Sequence, residues 1–266
     1  MSHETIPILA YHKVEPRFEW GITRVTPKQF EKQMNYLSQT GYRTISLEQC
    51  LQQSQQSRAE RTIVITFDDA YESVYKYAFP ILNRFKYTAT VFVITSFVGK
   101  LNRWDVNLGG IRFQHLNWRQ LRKLAEAGWE LGSHSATHPD LLNCSDSELW
   151  RELDSSKKEI ERYTGAKADF FSYPFGRYDQ RAIRYLNAAE YRGACTLNYY
   201  NPDFRIRPYE IGRKSIYWWD SIDSFTRKVQ SNYFTHFEAL KQKAVTFCSN
   251  GTVILKNFEK RSCNFR

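Results

Sequence analysis

Thr62-Ile63-Val64-Ile65-Thr66-Phe67-Asp68-Asp69 decides the fold. Ile63, Val64 and Ile65 form an apolar run without polar alternation, as in a strand covered on both faces within a parallel sheet. The run ends on two adjacent carboxylates, which repel each other unless a positive group sits beside them. A metal ion would take one acid as a ligand and leave the other for proton transfer. The competing reading is a solvated turn, where Asp is common.

A second stretch removes much of that ambiguity. In Leu131-Gly-Ser-His-Ser-Ala-Thr-His-Pro-Asp-Leu141, His134 and His138 lie four residues apart, just after the strand-like Trp129-Glu-Leu131. Imidazole is the commonest ligand for zinc-like cations, and catalytic sites keep three protein ligands and one open position. Two histidines and one aspartate make such a set. A lone His-x3-His pair is weak, but paired with a strand-ending Asp-Asp it is strong.

Three segments then carry a resemblance. Thr66-Phe-Asp-Asp-Ala-Tyr71, His134-Ser-Ala-Thr-His138 and Phe171-Ser-Tyr-Pro-Phe-Gly176 resemble, in order, the three motifs of the polysaccharide deacetylases, the NodB-homology group of carbohydrate esterase family 4. Ile6-Pro-Ile-Leu-Ala-Tyr-His-Lys-Val14 resembles the opening of the poly-N-acetylglucosamine deacetylase branch. The resemblance runs from residue 6 to about 215. It implies an irregular (β/α)7 barrel, with Asp69, His134 and His138 holding a divalent metal and Asp68 as general base. It further implies an oxyanion hole at the backbone N–H of Phe175. Zinc is the default metal for two imidazoles and a carboxylate, and cobalt, nickel, manganese or iron would fit the same ligands. Phe171 and Tyr173 are expected to pack or to flank the cleft.

The chain departs from the pattern in four places. Ala70 replaces the glycine usual after Asp-Asp, a change of one methyl that the loop is expected to tolerate. Asp169 stands where many members carry an arginine, which opens the orienting of Asp68 to another arginine. Arg213 is the candidate, against the alternative of an ordinary surface arginine. No Asp-x-x-Asp-Trp motif is present, and Trp218-Trp219-Asp220 is read as packing. The Leu-x-x-His motif that supplies the general acid in the family is missing from the C-terminal end. Leu9-Ala-Tyr-His12 matches it at the end of the first strand, so His12 is assigned as the acid in a permuted order, with His236 the rival. An ordinary imidazole pKa near 6.5 would keep His12 partly protonated at working pH.

The alternation of elements fits a barrel. Thr26 and Pro27 open a helix with Phe30, Met34 and Leu37 on one face, and Gly41 ends it. Strand 62–67, a helix near 72–86 and strand 88–94 follow. Asn117 caps a helix that stops at Gly128, before strand 129–132. Ser145-Asp-Ser-Glu148 is a capping box for a helix to about Thr164. Strand 169–173, a helix from about Asp179 to Ala189 and strand 193–196 complete the series. Such βαβ alternation means a parallel sheet. Periodicity alone leaves an open doubly wound sheet as the alternative. His12, Asp68, His134 and Pro174 all fall just past strand C-termini, the rim where barrel enzymes work.

A chain of 266 residues suits a single catalytic domain, with a core over about 6–215 and an extension over about 216–266. Aromatics make up 16%, which serves either sugar stacking or a large core. No run approaches a membrane span. Five scattered cysteines and a start without an apolar leader read as a cytoplasmic protein with free thiols. The formal charge of +10 comes from dispersed lysines and arginines, with Arg205, Arg207, Arg213 and Lys214 close together, and no nucleic-acid motif accompanies them. It means either a basic rim for an acidic or lipid-linked saccharide or a generally basic solvated surface. The functional expectation is deacetylation of an N-acetylated sugar unit. An O-acetyl esterase acting on a glycan and a non-catalytic saccharide-binding barrel are the alternatives.

Overall fold

The computed structural model describes residues 6–19, 21–53, 61–104, 110–197 and 207–230. His236, Arg205, Cys248 and Cys263 lie outside the described residues, as does the chain beyond Gln230.

Six strands lie in parallel: β1 (Ile8–Tyr11), β2 (Thr62–Phe67), β3 (Thr90–Val93), β4 (Glu130–Ser133), β5 (Phe170–Ser172) and β6 (Gly193–Thr196). β1 pairs with β2, and the order then runs β2-β3-β4-β5-β6. A seventh, split stave closes the circle. Its first half, β7 (Ile211–Gly212), pairs with β6, and its second half, β8 (Lys214–Ser215), pairs with β1. One continuous segment thus joins the two edges of the sheet at Arg213. The result is a nearly closed parallel barrel, and the open doubly wound alternative is excluded. Closure removes the free edges that an open sheet leaves exposed.

Helices cover the outside: α1 (Pro27–Gln39), α2 (Leu47–Gln53), α3 (Phe79–Arg84), α4 (Trp118–Glu126), α5 (Asp146–Thr164), α6 (Gln180–Ala188) and α7 (Ile222–Gln230). Their starts follow from local chemistry. The side chains of Thr26, Asn117, Ser145 and Asp179 each accept a hydrogen bond from a first-turn N–H, and Asn117 and Ser145 form reciprocal capping boxes. Gly165 ends α5 at φ 75°, where a Cβ would be strained. The helix expected near 72–86 is instead a π-helical turn over Val74–Ala78 running into α3. Such turns are frequent at functional sites, and this one follows closely on the Asp-Asp turn.

Two faces of β2 go to two cores. Ile63, Ile65 and Phe67 pack outward with Phe30, Met34 and Leu121 of the covering helices. Val64 packs with Ile8, Phe92, Phe170, Cys195 and Ile211 in an interior layer, with Leu47 and Cys50 of α2 against it. By the two-residue period, Thr66 and Asp68 follow Val64 on the interior face. Gly132 of β4 leaves the room this requires, since a Cβ there would lie 2.6 Å from the Phe92 ring and 2.8 Å from the Phe170 carbonyl. Ile216, Phe225 and Val229 belong to the main core, so the packed body continues past 215 through α7.

Candidate active site

Asp68 and Asp69 diverge because the chain turns sharply between them. Asp68 continues the strand, its N–H donating to the Tyr11 carbonyl at 2.9 Å. Asp69 (φ 67°) and Ala70 (φ 53°) are both left-handed. The loop accepts the methyl at 70, though a non-glycine residue in that conformation carries about 1–2 kcal/mol. The turn is clamped by the 94–117 segment, with Leu116 N–H donating to the Ala70 carbonyl and Glu72 N–H to the Gln114 carbonyl, both at 2.8 Å.

Asp68 is buried and held by Arg213, which is fully buried and not the surface residue of the alternative reading. Arg213 donates from Nη1 to Oδ1 at 2.7 Å and from Nη2 to Oδ2 at 2.8 Å, and also to Thr66 Oγ1 and Ser172 Oγ. Its guanidinium lies 5.3 Å from the Phe92 ring of the interior layer. Burial alone would push the Asp68 carboxyl up, but Arg213 and His134 outweigh it and hold the group below the usual carboxylate range. Asp68 therefore stays ionised.

His134 follows β4, with its Nδ1 2.7 Å from the Ser172 carbonyl. A carbonyl only accepts, so Nδ1 carries the proton and Nε2 presents a lone pair. Nε2 lies 3.4 Å from Asp69 Oδ1, and His138 Nε2 lies 3.8 Å from the same oxygen. His138 is left-handed (φ 58°), with its N–H donating to Ser135 Oγ at 2.9 Å. Glu152 of α5 grips the same loop through the Thr137 N–H and hydroxyl, at 2.8 and 2.7 Å. Asp69, His134 and His138 are all buried, with one ligand atom each inside a 4.8 Å span. Tetrahedral zinc with bonds of about 2.0–2.2 Å separates its ligand atoms by roughly 3.3–3.6 Å. The donor set fits.

His12 follows β1 beside Asp68, and its buried Nδ1 has no hydrogen-bond partner among the described residues. Burial pushes its pKa down to about 4, with the Asp68 charge pulling it back up and His134 and Arg213 opposing. It is therefore neutral at pH 7, contrary to the expectation built on an unperturbed imidazole. Phe175 (φ 59°) sits in a turn after Pro174, its ring 4.7 Å from that of His138. Phe171 and Tyr173 pack in a core with Leu153 and Ala182. Trp218 is 53% exposed and meets Trp219 edge-on at 5.6 Å, Trp219 packs on Tyr217 at 5.2 Å, and Asp220 is buried on Lys228 at 2.6 Å.

Sequence reasoning passed over Thr66, Ser172, Trp104 and His115. Trp104 lies against His138, with ring centroids 4.1 Å apart, and His115 touches the Asp69 carbonyl. The available signal was the length of the connection between β3 and α4, whose residues 94–104 and 110–117 follow the C-terminal end of β3.

A closed parallel barrel with such groups gathered at its C-terminal mouth is the layout of a barrel enzyme. The polysaccharide deacetylase family model matches residues 55–194, just over half of the sequence, and the chain belongs to that family. Among curated relatives, YxkH of Bacillus subtilis (strain 168), which carries the family's name, is 28% identical over 72% of this chain and 64% of its own length. A poly-beta-1,6-N-acetyl-D-glucosamine N-deacetylase of Staphylococcus aureus (strain MSSA476) is 26% identical over 57% of this chain and 53% of its own. The chain thus spans between about half and two-thirds of the length of these relatives. Two solved structures share the fold. Streptococcus pyogenes deacetylase PplD superposes at TM-score 0.73 with 22% identity, covering 86% of this chain and 99% of that one. IcaB from Ammonifex degensii superposes at 0.72 with 22% identity, covering 85% and 97%. Among the described residues, no helix is long and apolar enough to cross a membrane.

Proposed function

We propose that this chain is a metal-dependent deacetylase that hydrolyses the acetamide of an N-acetylated hexosamine unit in a polysaccharide or a saccharide precursor. The observation that carries the reading is the buried Asp69–His134–His138 cluster beside an ionised Asp68 at the barrel mouth. The relatives' names, one of them a poly-N-acetylglucosamine deacetylase, supply the substrate class. A formal net charge of +10 favours an acidic or lipid-linked saccharide.

Asp69, His134 and His138 would hold a divalent cation, zinc by default from the donor set. Such an ion, when bound, polarises an acyl carbonyl and makes water more acidic. Asp68 takes the proton from the attacking water. Arg213 lowers its basicity and fixes the direction of both carboxylate lone pairs. The N–H of Phe175 donates to the oxygen on which negative charge develops. His12 delivers a proton to the departing amine. Being neutral at rest, it receives that proton during the cycle, with the Asp68 charge favouring its protonated form.

The deciding experiment measures bound metal by mass spectrometry and acetate release from a panel of acetylated oligosaccharides. One metal per chain with acetate released from N-acetylhexosamine oligomers is the expected result. Release from O-acetylated glycans alone would make the protein an esterase, and metal-free, inactive protein would overturn the reading.

A further inference from the structure

Residues 100–102 and 113–115 pair with each other beside the Asp-Asp turn. Leu101 bridges Gln114, His115 N–H donates to the Lys100 carbonyl at 2.9 Å, and Asn102 N–H donates to the Phe113 carbonyl at 2.9 Å. Tyr71 bridges His115 in turn, so this paired stretch lies as an extra layer on the Asp69–Tyr71 turn. The His115 ring stacks on Tyr71, with centroids 4.8 Å apart and planes at 20°.

Two hydrogen bonds fix that ring chemically. Trp104 Nε1 lies 3.0 Å from His115 Nε2, and His115 Nδ1 lies 2.6 Å from the Asp69 carbonyl oxygen. An indole N–H only donates, so Nε2 must accept. The ring proton is thereby on Nδ1, facing a carbonyl that only accepts. Both ends agree on one neutral tautomer. The carbonyl so held belongs to Asp69, in a left-handed conformation that non-glycine residues rarely adopt. Fixing it fixes the direction in which the Asp69 carboxylate leaves the turn. The same Trp104 lies 4.1 Å, ring to ring, from His138.

We propose that Trp104 and His115 are a positioning pair for the metal centre: Trp104 selects the His115 tautomer that anchors the Asp69 turn, and its indole face sets the His138 ring. The inference rests on the metal reading above and adds residues to it that lie outside the ligand set. Groups that hold a ligand from behind are typically worth about 10–100-fold in metal affinity.

The test titrates zinc into the chelator-stripped full chain by calorimetry. His115→Phe keeps the stack on Tyr71 but loses both hydrogen bonds, and about a tenfold or greater loss of zinc affinity is expected. His115→Gln, whose amide donates at one end and accepts at the other, should restore most of it. Trp104→Phe keeps a ring on His138 but loses the donor, and should fall between. Nitrogen-15 shifts of the wild-type imidazoles should show His115 as the Nδ1–H tautomer, with that preference weakened in Trp104→Phe. Wild-type zinc affinity in His115→Phe, or a glutamine variant as weak as the phenylalanine one, would overturn the proposal while leaving the metal reading intact. An Nε2–H tautomer would do the same. A wild-type chain that takes up no zinc would sink both. Should His115→Phe fail to fold, Trp104→Phe and the tautomer decide.

Discussion

Arg213 and Asp68, 145 residues apart in the chain, form a bidentate ion pair inside the barrel, 2.7 and 2.8 Å long, with both side chains nearly inaccessible to solvent. The stave that carries Arg213 closes the barrel between β6 and β1, so the bond that closes the sheet and the bond that orients the acid come from one segment. Removing the arginine alone strands a buried carboxylate, at a typical cost of about 3–5 kcal/mol. Arg213→Ala should lower the unfolding midpoint and abolish acetate release. Arg213→Lys should fold better yet stay poorly active, because an ammonium cannot reproduce the planar fork. Denaturant melts beside activity assays check this, and a lysine variant with full activity contradicts it.

Asp69→Ala, His134→Ala and His138→Ala should each lose metal and activity together, since each removes one of three ligand atoms within 4.8 Å. Metal content by mass spectrometry decides. One metal per chain retained in all three variants would refute the ligand set.

Asp68→Asn keeps the shape of the side chain and can still hydrogen-bond water, but it cannot take up a proton as the carboxylate does. Metal content should persist while the rate falls by about 10²–10⁴. Normal turnover in this variant would reduce Asp68 to a bystander.

His12→Ala should retain metal and substrate affinity but lose turnover. The comparison variant is His236→Ala, in the histidine outside the described residues. Loss of turnover in His236→Ala with His12→Ala active would defeat the permuted assignment.

Acid should destabilise the metal-free protein well before carboxylates titrate. His12 and His115 have folded pKa values pushed down by burial to about 4. Between pH about 4 and 6.5 the unfolded chain therefore binds protons that the folded chain refuses, so stability is full above that window and falls as pH drops through it. The limit is about 1.4 kcal/mol per pH unit for each histidine. Asp68, held below the usual carboxylate range, adds a further loss below about pH 4 in the same direction. Denaturant unfolding at several pH values after chelation should show this slope, and His115→Gln should flatten part of it. A midpoint unchanged between pH 6.5 and 4.5 would contradict it.

Local sequence determined the elements whose causes are local. Thr26, Asn117, Ser145 and Asp179 cap helices through bonds spanning three residues, and the apolar run 62–67 is a strand in the structure as in the sequence. The His134–His138 spacing and the paired aspartates stand in short segments of sequence, and the structure gathers Asp69, His134 and His138 within 4.8 Å. Three things were decided only in three dimensions. The strand halves 211–212 and 214–215 are too short for any periodicity to reveal, and they exist because two sheet edges needed a partner. Burial moved His12 away from its ordinary pKa, and burial is a property of the packed barrel. The Trp104–His115–Asp69 chain joins residues on an irregular segment to a turn, and hydrogen bonds of that kind leave no periodic trace in the sequence. Residue types thus determined what chemistry the chain can carry. The closed barrel determined which of those groups meet, because only closure brings the segment after β6 back to β1 and sets Arg213 against Asp68.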